Sequence, residues 1–284
     1  MDAVQCRDCV GGAIHTGKPT GVQIQFHGLP AYVTRPDEGT PGKGIIIFIT
    51  DIFGWKFPNS RLLADKYAKN GGYTVYIPDF MRGNGAAPKA AECMRVTAAY
   101  EAPSSLLYSI FVKPFLALKA VFLLAGPAFH TRRSKAKPVV FDFMRALRAD
   151  PATADTKIGV VGFCWGGQYS ILLGQNDSGH GSTESIPLVD AAFTAHPARF
   201  EIPEDIKKAK VPLSMALAEN DLWVPPKEAQ ILKKLEKEEP YEVVIFEGTK
   251  HGFALRCDEK DEVQMAAAEK AEEQALRWFK KWIG

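Results

Sequence analysis

The stretch Lys157-Ile-Gly-Val-Val-Gly-Phe-Cys-Trp-Gly-Gly-Gln-Tyr-Ser170 changes its pattern partway along. Ile158 to Val161 are apolar and mostly β-branched, which suits a buried strand. Gly162-Phe163-Cys164-Trp165-Gly166 makes a turn, and Gln168 to Leu173 resumes at helical spacing. This is the strand–turn–helix setting of the nucleophile elbow G-x-S-x-G, with Cys164 in the place of serine. The glycines stand two before and two after that position because a sharp strand-to-helix turn leaves no room for a Cβ. Cys164 would then sit at a helix N-terminus, where unpaired N–H groups and the helix dipole favour a thiolate. Taken alone, the pentapeptide also fits a buried free cysteine in a glycine-rich turn.

Working outward, strands alternate with helices on both sides. Val22 to Val33 alternates apolar and polar around a glycine-containing turn, as a hairpin does. Gly44 to Thr50 is a continuous β-branched run of the kind found in a central parallel strand, and it ends in Asp51-Ile52-Phe53-Gly54. A helix from Asn59 or Ser60 to Lys69 and a strand from Tyr73 to Ile77 follow. Val139 to Leu147 has helical spacing. Beyond the elbow come strands at Asp190–Ala195, Val211–Ala218 and Tyr241–Phe246, with helices at Lys227–Lys237 and Glu262–Trp282. The alternation predicts an α/β fold: a mostly parallel central sheet with helices on both faces. Residues 1–284 are expected to form one domain. The excursion from 81 to 134, which has no strand of its own, is the candidate lid or insertion.

Composition narrows the function. With 284 residues the chain can bury about three quarters of its unfolded surface, so no metal or disulfide staple is needed. A formal net charge of +2 with 24% charged residues gives neither a basic stripe nor an acidic tail. No nucleic acid, membrane or cofactor is expected as a partner, and no metal. The expected partner is a small-molecule substrate, with the protein a monomer or homodimer. Five scattered cysteines, an odd number, suggest a reducing compartment, and the absence of a signal-like N-terminus suggests the cytoplasm. Cys6 and Cys9 have C-x-x-C spacing but no second Cys/His pair at zinc-like distance, so the segment reads as a frayed N-terminus. The apolar stretch from Ser104 to Phe129 is interrupted by Lys113, Pro114 and Lys119, and its longest uncharged run falls short of the ~20 residues of a spanning helix. It is read as an apolar wall or lid over Cys164.

A thiol nucleophile needs a base, and the base an orienting group. Val211 to Leu217 runs into Ala218-Glu219-Asn220-Asp221-Leu222-Trp223-Val224-Pro225, and Val243 to Phe246 runs into Glu247-Gly-Thr-Lys-His251-Gly252-Phe253. Asp221 and His251 therefore lie just past strands, on the edge that carries Cys164. The chain order nucleophile, acid, histidine is that of the α/β-hydrolase fold. Glu219, Asp51 and Asp79 are competing carboxylates; Asp221 is preferred because it opens the segment leading into a helix. Of the other histidines, His15 and His27 are expected at the surface and His130 and His180 in loops. His196 closes a strand ahead of the acid in chain order, so a supporting role beside the pocket suits it.

Gly-Phe-Cys164-Trp-Gly-Gly, Asn-Asp221-Leu-Trp-Val-Pro and Lys-His251-Gly-Phe together resemble the dienelactone hydrolase family, a cysteine branch of the α/β-hydrolases. Cys9, His15-Thr-Gly-Lys-Pro-Thr-Gly21 and Asp51-Ile-Phe-Gly54 resemble its fungal members. The resemblance implies that Cys164 attacks an ester, lactone or thioester carbonyl while His251, oriented by Asp221, handles the proton. It implies an oxyanion hole from the N–H groups of Ile52 and Trp165, and an acidic residue at Asp51 that influences the thiol. Arg82 and Arg256 are the nearest candidates for holding a substrate carboxylate, with solvated loop cations as the alternative. Trp223 and Phe253, inside the matching motifs, join His196 as candidate substrate contacts. Asp51 stands where the bacterial pattern has Glu, and Arg256 lies one residue further from His251 than the bacterial spacing. The apolar lid points to a fairly hydrophobic, secondary-metabolite-like substrate. Acyl transfer or C–C condensation in polyketide metabolism could use the same three residues. A non-catalytic binding or redox-sensing module is the remaining alternative, against which no resolving cysteine lies near Cys164 in sequence.

Overall fold

The computed structural model describes residues 9–40, 42–176, 187–236 and 240–284. Cys6, His180 and the expected helix end at Lys237 lie outside the described residues.

Val22–Phe26 (β1) and Leu29–Thr34 (β2) form the expected hairpin, with Val22 opposite Val33. Ile45–Ile49 (β3) is buried at every position, as its unbroken apolar, mostly β-branched sequence requires of a strand covered on both faces. Pro58–Gly71 (α1) starts with proline at its first position, where a missing N–H costs nothing. It ends at Gly72, whose left-handed φ of 79° lets its N–H reach Ala68 O. Thr74–Pro78 (β4) follows.

The excursion then builds three helices, Ala90–Glu101 (α2), Leu106–Phe111 (α3) and Lys113–His130 (α4), and Arg133–Ala149 (α5), which contains the expected Val139–Leu147 helix, leads out of it. His130 thus ends a helix and does not sit in a loop. Ile158–Phe163 (β5) leads into Gly167–Gly174 (α6). Ala191–Ala195 (β6), the single turn Glu204–Lys207 (α7), Leu213–Asn220 (β7) and Pro226–Leu235 (α8) come next. Tyr241–Lys250 (β8), the short Phe253–Arg256 (α9) and Glu262–Ile283 (α10) complete the described chain. Asp261 caps α10 by accepting from the N–H groups of Val263 and Gln264.

One eight-stranded sheet runs in the order β1-β2-β4-β3-β5-β6-β7-β8. β1, β2 and β4 pair antiparallel, and every pairing from β4 through β3 to β8 is parallel. Because the strands from β4 through β8 point the same way, the loops after β3, β5, β6, β7 and β8 all leave one edge. β3 and β5 are direct neighbours with Ile49 opposite Gly162, so the Asp51–Gly54 loop and the elbow emerge side by side. One apolar cluster on the sheet takes in α5 and α6, and a second takes in α1 and α10.

The apolar residues of α3 and α4 do not wall the thiol. Only Leu124 and Pro127 of α4 are buried, and Leu124 packs in a cluster with Ile52 and Phe53. Leu123 packs half-buried against the same cluster, and nine large apolar side chains between Leu106 and Phe129 are exposed.

Candidate active site

Cys164 follows directly from β5 and adopts a left-handed φ of 50°, a strained conformation for a residue with a Cβ. Its two glycines are needed for space. A Cβ on Gly162 would stand 2.4 Å from Gly166 O, and one on Gly166 would stand 2.1 Å from Ile49 O. Only a chain without those carbons closes so tight a turn against β3.

Asp221, the first residue after β7, and His251, the first after β8, meet at this edge. Asp221 Oδ2 lies 2.8 Å from His251 Nδ1, and Oδ1 accepts from the N–H of Trp223 at 2.8 Å. With Nδ1 held by the carboxylate, Nε2 is the ring nitrogen left for the thiol. A ring nitrogen of His251 and the sulfurs of Cys164 and Cys9 all lie within 4.8 Å of one another. Asp221, His251, Cys164 and Cys9 are each buried. The competing carboxylates are used otherwise: Asp79 caps a turn by accepting from Gly83 N–H at 2.7 Å, and the exposed Glu219 accepts from Gly248 N–H.

Cys9, which the sequence offers as a fungal-type residue in a frayed N-terminus, has a place in the site. It is not part of a frayed end; it is buried, and Trp223 Nε1 points at its sulfur from 3.1 Å. A hydrogen bond from Cys9 is the largest influence pulling the Cys164 thiol well below its ordinary pKa. Burial opposes it, and the charges of His251 and Arg256 reinforce it. Burial works against the imidazolium of His251 as well. Asp221 and Cys164 outweigh that and hold the ring well above the usual histidine range. Both shifts favour a thiolate–imidazolium pair. Cys9, Cys164 and His251 are also a donor set that could hold a thiophilic metal ion, and such an ion would occupy the sulfur and the ring nitrogen together.

Asp51 and Arg256 are coupled in the wall of the site. The Arg256 guanidinium is ion-paired through Nη1 to Asp51 Oδ2, both side chains are buried, and Arg256 Nε donates to Gly11 O at 2.9 Å. Arg256 is therefore not a solvated loop cation. Burial pushes the Asp51 carboxyl up; Arg256 counters this, and the neighbouring Cys164 adds to it. Arg82 is exposed in the turn after β4, with a φ of 50°.

His196 is fully buried at the end of β6. Its ring centroid stands 5.0 Å from that of His251 and 5.9 Å from that of Phe253. Burial, then the charge of His251, drive its pKa well below the usual value, so it is a neutral ring beside a charged one. Ile52 and Trp165 are buried at the two adjoining loops, Trp165 immediately after Cys164 and Ile52 immediately after Asp51. The Trp165 indole donates to Thr131 O at 2.9 Å, which ties the elbow to the junction of α4 and α5. A separate cavity of about 500 Å³ between the N-terminal loop, α1 and α10 includes none of Cys164, Asp221 and His251.

A sequence model described as the dienelactone hydrolase family matches residues 29–283. The hydrolase pyvD of Aspergillus violaceofuscus is 29% identical over 98% of this chain and 96% of its own length. The carboxymethylenebutenolidase homolog of Rattus norvegicus is 30% identical over 93% of this chain and 91% of its own. Among solved structures, a dienelactone hydrolase from Anabaena variabilis superposes with a TM-score of 0.54 at 16% identity, covering 95% of this chain and all of that one. The last similarity is one of fold.

Proposed function

Because the chain belongs to the dienelactone hydrolase family of α/β-hydrolase fold, we propose that it hydrolyses an ester, lactone or thioester through an acyl intermediate on Cys164. The observation that carries this reading is the convergence of the Asp221–His251 pair on a buried sulfur at the tip of the elbow.

In the forward step the Cys164 thiolate adds to the substrate carbonyl, and the oxygen takes up negative charge between the N–H groups of Ile52 and Trp165. Losing one such donor typically costs on the order of 100-fold or more in rate. The tetrahedral species collapses by expelling the alkoxide, enolate or thiolate, which takes its proton from the His251 imidazolium. The ring, now neutral and still oriented by Asp221, draws a proton from water. The hydroxide adds to the acyl–Cys164 thioester, and the thiolate leaves as the acid forms. Positioned proton transfer of this kind supplies roughly 100- to 10,000-fold. The Trp223 indole, pointed at the Cys9 sulfur, and the Phe253 ring against His196 bring aromatic surface to the site and favour an apolar acyl or leaving group.

The test is Cys164→Ala with an activated aryl ester, beside mass spectrometry of the parent enzyme quenched during turnover. Loss of activity with an unchanged fold, and a mass increase confined to the peptide carrying Cys164, are expected. A Cys164→Ala protein that turns over the ester at the parent rate would end the proposal. Turnover in ¹⁸O-labelled water decides the fate of the acyl group: hydrolysis places one label in the acid, whereas transfer to another nucleophile leaves the product unlabelled.

A further inference from the structure

Nine of the fourteen exposed large hydrophobic side chains among the described residues lie between Leu106 and Phe129. Leu106–His130 is one helical run of 25 residues, because the hydrogen-bond ladder continues through Val112, from Val112 N–H to Tyr108 O and from Leu116 N–H to Val112 O. At about 100° per residue, Leu107, Phe111, Leu118, Phe122, Phe129 and Phe115 fall within an arc of about 80°. Phe111 is 72%, Leu118 67% and Phe122 79% exposed. An apolar stripe about 33 Å long therefore faces outward. A monomeric protein does not ordinarily leave such a stripe to water.

The charge around the stripe is one-sided. From 102 to 141 the chain has no Asp or Glu, but it carries Lys113, Lys119, Arg132, Arg133, Lys135 and Lys137. These six cations fall in forty residues of a protein whose whole net charge is +2. Arg132 and Lys135 lie 4.4 and 4.3 Å from the ring centre of Phe129, with charged ends at the border of the apolar face. On neighbouring α2, Glu92 is held between Arg95 and Lys119, leaving Glu101 at the helix end as the other carboxylate there.

We propose that this face is a docking surface for an anionic lipid bilayer, with α3 and α4 lying in the plane of the interface. Aromatic and leucine side chains on one side and lysine and arginine at its border are the pattern of an interfacial helix. By length and apolarity the run could also cross a membrane. Its inner side argues otherwise: Leu124 packs against the Ile52–Phe53 loop, Lys119 bridges to α2, and Thr131 holds the Trp165 indole. Crossing would strip the helix from the body of the protein, whereas lying flat keeps every one of these contacts. The same contacts put α4 between the bilayer and the Ile52–Phe53 loop of the site.

The experiment is flotation of the full-length protein with vesicles of phosphatidylcholine alone and of phosphatidylcholine with phosphatidylserine. Binding to the anionic vesicles, weakened severalfold in 0.5 M NaCl, is the expected result. Phe115→Glu/Phe122→Glu removes two outward rings and should lower partition at least tenfold, with circular dichroism and the unfolding midpoint unchanged. Arg132→Ser/Lys135→Ser should lower it by roughly fivefold per cation on anionic vesicles only. Failure of the parent protein to float with anionic vesicles overturns the proposal, as does equal flotation of the double glutamate variant. A concentration-dependent dimer abolished by the same glutamates, without vesicle binding, assigns the face to a second copy and overturns it equally.

Discussion

The sulfur of Cys9, from the start of the described chain, lies within 4.8 Å of the sulfur of Cys164 at the elbow. A thiol that donates to a thiolate stabilises it as any charge-assisted donor does, and in a buried site little water competes for the role. On the proposed mechanism Cys9 acts as a positioning residue for the charge on Cys164.

Cys9→Ala should therefore raise the pKa of Cys164. The rate of iodoacetamide labelling of Cys164 against pH, and the acid limb of kcat/KM, should both move upward, while the alkaline limb set by His251 stays in place. Cys9→Ser keeps a donor and should return most of the shift. A residue that merely fills space would lower stability on truncation and leave the acid limb where it was.

The pair itself predicts a broad pH profile. The thiol pKa is lowered, so thiolate is lost only as pH falls through a value well below the ordinary ~8.5 of cysteine. The imidazole pKa is raised, so the leaving-group proton is lost only as pH rises through a value well above the ordinary ~6.5. Activity should hold across the interval between the two. Asp221→Asn removes the carboxylate charge that supports the imidazolium. The alkaline limb should then move to lower pH, and kcat should fall by on the order of 100- to 10,000-fold. Stopped-flow rates on an activated ester from acid to alkaline pH check both limbs.

The buried pair Asp51–Arg256 should be costly to break and cheap to replace. Asp51→Ala removes the carboxylate paired with a buried guanidinium, and losing one partner of such a pair typically costs about 3–5 kcal/mol. The double variant Asp51→Leu/Arg256→Met buries no charge and should recover most of that loss. Urea unfolding of the single and double variants measures the difference. A single variant within about 1 kcal/mol of the parent would show that the pair contributes little.

Much of this was legible in the sequence, and the reasons are local. β3 and β5 are written as apolar, largely β-branched runs, and Asp221 and His251 each follow a strand within a few residues, so chain order alone placed three reactive groups at one edge. Cys9 was not legible because nothing near it has a period; its place depends on a contact with Trp223, more than two hundred residues away. Arg256 was hidden for a similar reason. A cation five residues past His251 reads as a loop residue until Asp51 and Gly11 are seen to enclose it. The run from Leu106 to Phe129 is apolar on nearly every side, so its sequence cannot say which side meets the protein. That choice is made by Leu124 and Pro127 packing inward, and it turned an expected lid lining into an outer surface.

The elbow makes a last prediction, in which one substitution has opposite signs at two glycines. At Gly166 a methyl group would stand 2.1 Å from Ile49 O and 2.7 Å from Thr50 O, both backbone atoms that cannot step aside. Gly166→Ala must push the elbow away from β3, carrying Cys164 away from the loop of Ile52, and should cost at least ~2 kcal/mol in stability. At Gly126, inside α4, nothing outside its own helix turn and chain neighbours lies within 4 Å of the added carbon. Alanine there removes backbone freedom from the unfolded chain against some crowding by the following Pro127 ring, so Gly126→Ala should stabilise by up to about 0.5–1 kcal/mol. Thermal unfolding of both variants, with turnover of an activated ester, tests the pair. If Gly166→Ala unfolds with the parent and keeps its rate, the close approach of elbow and β3 is not what holds the nucleophile in place.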